Sequence, residues 1–281
     1  MPQRASIRVA GLSNQGRVRT HNEDTIGDDT ELGVVVLADG MGGYSSGEIA
    51  SRIAVDTVLG ELRTQLPGIR PDELDQRLGY SPQTRAVRNA IVKANTAIYE
   101  AAQQDNRHRG MGTTLVMAVI RDSQLTIANV GDSRMYRLRD QTMEQLTVDH
   151  TLIQELVDHG FYNRDEARGA LNKNLVTRAL GIEPSVAVDV REGLALPGDL
   201  YLLCSDGLND MIEDEAIRLI LHEHGNDLDL AATALIGAAL DAGGKDNVSV
   251  LLVRVMDPHF RGAPWYQRIL DVLKRKVNGN G

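Results

Sequence analysis

The sequence is poor in cysteine, in long apolar runs and in basic charge, and each shortage closes off a class of protein. One cysteine, Cys204, cannot form an internal disulfide, which suits a reducing compartment and excludes a disulfide-stapled scaffold. No apolar run approaches the length needed to cross a bilayer, and the first residues lack the layout of a signal peptide. The expected location is the cytoplasm. Only 30 Lys and Arg stand against 39 Asp and Glu, a formal net charge of -9, which argues against a nucleic-acid binder, whose phosphate contacts demand a basic face. Repeats and low-complexity blocks are missing too. With 281 residues, 42% of them hydrophobic, the chain can bury a substantial core, and one large domain is expected.

What is present is a series of short apolar runs. "ELGVVVLAD", "TTLVMAVI", "QLTIANVGDS", "DLYLLCSD" and "NVSVLLVRV" are rich in β-branched residues and bounded by Gly, Asp or Asn, the pattern of strands. Between them, Ile49, Ile53, Val55, Val58, Leu59 and Leu62 mark a helix over 47–66, and Val87, Ile91, Ala94, Ile98 and Ala101 mark one over 84–104. Two further helices are predicted near 214–224 and 227–242. Strands 115–120 and 124–130 are separated by "RDSQ", too short for a crossover helix, so they form an antiparallel hairpin. The fold class is α+β with antiparallel sheets rather than a doubly wound parallel sheet. The stretch 67–82, with three prolines, reads as an irregular connection between helices.

Acids recur where these strands end. Asp39, Asp132 and Asp206 follow apolar runs and Asp246 precedes the last one. Each alone reads as a turn or cap residue. Together at one rim, four carboxylates would repel strongly unless a cation neutralised them, and an all-oxygen set without His or Cys clusters favours Mg²⁺ or Mn²⁺ over Zn²⁺. Gly40 and the glycines after it would let the backbone, including the Gly40 carbonyl, approach such a metal and leave room for its waters. Near the N-terminus, Glu23 and Asp24 add carboxylates, and Arg19 offers a planar fork suited to phosphate; a surface salt-bridge network is the competing account of that cluster.

Taken in order, "VRTHNED", "LADGMGG", "GMGTTL", "VGDSR", "CSDGL" and "GGKDNVSV" resemble the motifs of the metal-dependent serine/threonine protein phosphatases of type 2C, in their bacterial form, over about residues 6–256. Each motif is weak alone; six in order are specific. The resemblance implies a four-layer α-β-β-α sandwich of two antiparallel sheets flanked by helices, with a two-metal site at one end. By motif position, Asp39 matches the carboxylate bridging both metals, Gly40 gives its carbonyl to one, and Asp206 and Asp246 are ligands of the other. Glu23 and Asp24 match acids that bind or orient metal waters, Arg19 matches the phosphate-binding arginine, and Asp132 matches the residue that, with Asp206, holds a third metal. The implied cofactors are two Mn²⁺ or Mg²⁺ ions, with room for a third, and the implied reaction is hydrolysis of phosphoserine and phosphothreonine on proteins by a metal-activated water. Phosphorylated proteins and an opposing bacterial Ser/Thr kinase are the expected partners, and a monomer is expected.

Two positions depart from the pattern. Met41 and Tyr44 stand where relatives carry histidines, so no general acid is assigned, and His21 reads as a solvated residue. The segment 149–181, with Arg164, Arg168 and Lys173, matches a flap that affects substrate choice in relatives; a solvated helix pair is the plainer account, and Arg178 reads as structural. Cys204 lacks the arginine that a cysteine phosphatase needs six residues on, since position 210 is Asp, and is expected to pack in its strand. No DxD nucleophile motif or GxxxxGK[ST] loop is present. The alternative to an enzyme is a non-catalytic adaptor that keeps the fold and binds phosphoproteins.

The domain boundary is set at residue 257. Beyond it, residues 258–281 turn basic, and Trp265, Ile269, Val272, Leu273 and Lys276 share a helical stripe with Arg268, Lys274 and Arg275 around it. Such a tail can rest on an acidic membrane surface, dock on a partner, or pack back on the acidic domain.

Overall fold

In a computed structural model of the chain, which describes residues 7–42, 46–69, 79–162 and 175–256, successive side chains of the strand Val34–Met41 belong to different cores. Val34, Val36 and Ala38 pack with Ala50, Ala54, Val58 and Ile91 from helices. Val35 and Leu37 pack with Leu203, Leu251 and Val253 from a second sheet. A strand covered on both faces reads as an unbroken apolar run, because neither set of alternating side chains meets water.

The strands are β1 (Ile7–Asn14), β2 (Asp24–Asp29), β3 (Val34–Met41), β4 (Gly112–Thr113), β5 (Leu115–Arg121), β6 (Gln124–Val130), β7 (Arg134–Arg139), β8 (Thr142–Gln145), β9 (Asp189–Leu194), β10 (Leu200–Cys204) and β11 (Val248–Val255). The helices are α1 (Ser46–Gln65), α2 (Pro82–Gln104), α3 (Leu152–Asp158), α4 (Asp206–Asn209), α5 (Asp214–His224) and α6 (Leu228–Asp241). One sheet runs β1-β11-β10-β7-β8 and the other β2-β3-β5-β6-β9, with β4 on β3, and every pairing is antiparallel. Helices α1 and α2 cover the second sheet. On the first, Ile217, Leu221, Ala231 and Leu235 of α5 and α6 meet Leu200, Leu202, Val250 and Leu252. The result is the expected α-β-β-α sandwich.

The hairpin between β5 and β6 turns through Asp122 and Ser123, both at positive φ (48° and 66°), the backbone twist that lets a two-residue loop join antiparallel strands. The expected helices form within two residues of their predicted ends. α2 starts at Pro82 behind Ser81, whose hydroxyl accepts from the Thr84 N–H. Strands β1, β2, β8 and β9 lie at sheet edges, where one face is wet and the apolar run is broken by polar residues, so no such run marks them in the sequence. β7 is interior but carries Arg134, Arg137 and Arg139. Among the described residues no helix is long and apolar enough to cross a membrane. The basic tail, Tyr44, and Arg164, Arg168 and Lys173 lie outside the described residues.

One expectation about glycine changes. A Cβ on Gly40 would lie 2.1 Å from the Gly47 carbonyl oxygen, and one on Gly47 would lie 2.7 Å from the Gly40 carbonyl carbon. The side of Gly40 where a Cβ would lie is therefore filled by the first turn of α1: two bare backbones let the helix press on the end of β3. Replacing Gly47 with Ala is expected to destabilise the protein by about 1–3 kcal/mol through overpacking, read as a lower urea midpoint at unchanged slope. A midpoint equal to wild type would show that the contact has slack.

Candidate active site

Antiparallel ladders bring distant strand ends to one rim. Cys204 at the end of β10 pairs with Val250 on one side and Arg134 on the other, so Asp206, Asp246 and Asp132 leave the first sheet at the same end. In the second sheet, Leu37 pairs with Val116 and Leu115 with Val130, which carries Asp39 to that rim. Asp24 opens β2 directly opposite Asp39 in the ladder, a placement that sets two carboxylates side by side on one face.

The main chain around each acid is held separately from the carboxylate. The Asp39 carbonyl accepts from the Thr114 N–H and the Thr113 hydroxyl, both at 2.8 Å, and its N–H donates to Thr114 Oγ1 at 3.1 Å. Thr114 is in turn bonded to Ser133, next to Asp132, at 2.7 Å. Asp24 Oδ2 accepts from Ser205 at 2.8 Å and Ser249 at 2.6 Å, while its Oδ1 is buried without a hydrogen-bond partner. The backbone N–H groups of Gly47 and Glu48 favour the charged form of the Glu23 carboxyl against its burial, as the first turn of α1 leaves donors free for an anion. The Gly40 N–H and the Ser51 hydroxyl donate to the Glu23 carbonyl. Arg19 Nη2 donates to Asp246 Oδ2 at 2.6 Å, and Asp246 Oδ1 accepts from the Asn247 N–H.

Electrostatics at the rim are dominated by loss of water, with like charge adding to it. Burial, followed by the charges of Asp24, Asp206, Asp132 and Asp246, holds Asp39 well above the usual carboxylate range. Asp206 is raised by burial and then by Asp132, Asp246, Asp210 and Asp24. Burial also pushes Asp24 to about 6, against the lowering effect of its two serines, and pushes Asp132 to about 6, with Asp149 adding repulsion. Glu23 is raised by burial. Arg19 is raised chiefly by its bond to Asp246, with Asp206 and Asp39 contributing.

These donors suit a hard cation. They are all oxygen, they carry excess negative charge, and Asp24 Oδ1 is left without a partner in the interior. Among the described residues no group of three or more His, Cys, Asp or Glu side chains is drawn into a finished ligand set. The structure thus gathers Asp39, Asp206, Asp246, Asp132 and Asp24, ties Arg19 to one of them, and seats Glu23 at the start of α1. His21 takes part through its carbonyl, which accepts from Asn247. The supporting residues Thr113, Thr114, Ser205, Ser249 and Asn247 were not singled out in the sequence. The signal was there: Ser249 and Asn247 are polar residues in or beside a largely apolar strand, where a buried polar group demands a partner.

Comparison with known proteins agrees with the geometry. A family model for protein phosphatase 2C matches residues 10–228. The serine/threonine phosphatase stp of Listeria monocytogenes is 37% identical over 244 residues, covering 86% of this chain and 93% of that protein. The crystal structure of the serine/threonine phosphatase PstP of Mycobacterium tuberculosis superposes with a TM-score of 0.78 at 33% identity, covering 89% of this chain and 99% of that one. The PstP catalytic domain in complex with two manganese ions superposes at 0.74 with 35% identity, covering 89% and 99%.

The raised acids predict an unusual pH response. Unfolded, each Asp titrates near 4. Because Asp24 and Asp132 titrate about 6 when folded, the stability they contribute is complete below about 4 and is lost as the pH rises through about 6. In chelator, Asp39→Asn is therefore expected to raise the melting temperature at pH 7.5 and much less at pH 4.5, by a few degrees on a scale of about 2–4 °C per kcal/mol. The same substitution should reduce the stabilisation that added Mn²⁺ gives. Equal melting temperatures for the two proteins at pH 7.5 in chelator would refute the repulsion.

Proposed function

The chain belongs to the protein phosphatase 2C family, and from that membership we propose that it hydrolyses phosphoserine and phosphothreonine on proteins with Mn²⁺ or Mg²⁺, opposing a Ser/Thr kinase in the same cell. The observation that carries the proposal is the cluster of buried Asp24 and Asp132 with the partly exposed Asp39, Asp206 and Asp246, whose charges act on one another beside an arginine. Such a set is costly to fold without a cation and suited to holding one.

Asp39, Asp206 and Asp246, with the Gly40 carbonyl, are the residues we assign to the two principal cations, and Asp132 with Asp206 to a third. Divalent cations, when bound, supply positive charge against phosphoryl oxygens and acidity to a nucleophilic water. The chain's own residues do the rest. Asp24, fixed through one oxygen by Ser205 and Ser249, keeps its other oxygen without a protein partner, and to that oxygen we assign the orienting of water. Glu23, seated at the start of α1, holds its carboxylate beside the same rim. Arg19 trades Asp246 for the phosphoryl group, and its fork offers two parallel donors to the oxygens on which charge builds in the transition state. Met41 is paired with Gly112 across β3 and β4 and has no proton to give to the leaving oxygen.

An adaptor is disfavoured, because a protein that only binds phosphoproteins gains nothing from charges whose burial opposes folding, and the relatives are named as phosphatases. The single cysteine suits a cytoplasmic enzyme, and we set the end of the phosphatase unit at residue 257.

Purified protein is expected to hydrolyse a small aryl phosphate and a phosphothreonine peptide with Mn²⁺, to stop in EDTA, and to recover on adding Mn²⁺. Asp39→Ala and Asp206→Ala should each abolish turnover. Arg19→Ala should raise KM by about ten- to a hundredfold, the worth of a charge-assisted contact of about 1.5–3 kcal/mol. Activity in EDTA, or full turnover by either Asp variant, would overturn the assignment.

A further inference from the structure

We propose that Asn247 is a positioning residue for phosphate binding, a clamp that holds the segment carrying Arg19 at the height where its guanidinium meets the acidic rim. The inference rests on the phosphatase reading above. Asn247 is buried at 6% exposure and uses its whole carboxamide on one stretch of backbone. Its Oδ1 accepts from the Glu23 N–H at 2.8 Å, and its Nδ2 donates to the carbonyls of Gln15 at 2.9 Å and His21 at 2.8 Å. The orientation is unambiguous, because a flipped amide would set its oxygen against two carbonyls.

The three contacts bracket Arg19. One lies four residues before it, the others two and four residues after. Gln15 passes the restraint inward, since its Nε2 donates to the Arg19 carbonyl at 2.7 Å. From outside, Arg17 fastens the same segment to the last turn of α6 and the residues after it, through its Nε to the Leu240 carbonyl at 2.8 Å and its N–H to the Gly244 carbonyl at 2.7 Å. Asn247 also steadies the partner of Arg19, because its own N–H donates to Asp246 Oδ1 at 2.8 Å while Asp246 Oδ2 takes Arg19. One residue thus locates both members of the pair, its side chain setting the arginine segment and its backbone setting the carboxylate.

No other side chain of similar size does this. Asp would turn two donors into acceptors facing carbonyls, and Ser is too short to reach three partners. Ala leaves the Glu23 N–H and two carbonyls unpaired in a partly buried segment. Loss of the clamp should therefore blunt phosphate binding through Arg19 while leaving the cation ligands Asp39 and Asp206 in place.

The test is a double-mutant cycle on the full chain, with inorganic phosphate as the probe, read by calorimetry in Mn²⁺ and by competition against a small aryl phosphate. Wild type, Asn247→Ala, Arg19→Ala and the double variant are compared, with Mn²⁺ binding measured on each. The clamp predicts that Asn247→Ala weakens phosphate about tenfold or more, that the double variant binds phosphate within about twofold of Arg19→Ala alone, and that Mn²⁺ affinity shifts by less than about threefold. Wild-type phosphate affinity in Asn247→Ala, or losses that multiply in the double variant, would overturn it. Should Asn247→Ala not fold, Asn247→Ser, which adds no charge and keeps one polar group at the site, carries the same comparison. Calorimetry reads phosphate without turnover, so a wild-type protein that hydrolysed nothing would strike the phosphatase reading alone and leave the cycle to decide the clamp.

Discussion

The mutual repulsion of buried carboxylates at one end of the sandwich is the constraint around which the rest of the structure is arranged. Asp39 and Asp24 sit opposite each other across a ladder, and Asp206, Asp132 and Asp246 raise the cost of ionising them. A carboxylate in such a place protonates, recruits a cation, or forces the backbone apart. The backbone here is prevented from moving. Thr113 and Thr114 grip the main chain of Asp39, and two serines grip one oxygen of Asp24. What remains free to respond is the charge itself.

That rigidity comes from the layers. Strands β3, β5 and β10 are apolar on both faces, one set of side chains packed between the sheets and the other under helices. Such strands have no freedom to slip, since a shift of one residue would exchange the two cores. The acids occupy positions where the apolar pattern stops, so the packing that fixes the strands also fixes the rim. Gly40 and Gly47 extend this control to α1, whose first turn lies directly on the end of β3 and offers its N–H groups to Glu23.

Fold class, the central strands and the long helices were legible in the sequence because burial writes itself as period: unbroken apolar runs for doubly covered strands, spacing of three and four for helices. Edge strands such as β2 and β9 were not, because half their side chains face water and their identity depends on a neighbour far away in sequence. The acids of the site were legible for a related reason, as charges placed against apolar strand ends. Their supports were harder to see. Ser205, Ser249 and Asn247 look like ordinary turn or strand residues until the fold brings Asp24 and the 15–23 segment over them. Gly40 was read as space for a ligand, and its partner, Gly47, could be found only once helix and strand were packed together.

The arginines separate into two kinds, and the difference bears on what the site can do. Arg134 forms a bidentate bond to Asp149, with side chains 23% and 13% exposed, and Arg139 forms one to Asp199, with the carboxylate 2% exposed. Breaking either would strand a buried charge, so both are fixed parts of the frame. Arg19 meets Asp246 through one nitrogen, with side chains 54% and 35% exposed. A pair that wet contributes little to stability, so its guanidinium can change partners at small cost. The sandwich therefore holds its structural arginines by two bonds in a dry setting and leaves the arginine at the rim on one bond in water, on a segment whose backbone is clamped. A fixed backbone under an exchangeable side chain suits the role proposed for Arg19: a guanidinium on one wet bond gives up Asp246 for an anion at small cost, on a segment that Asn247 holds.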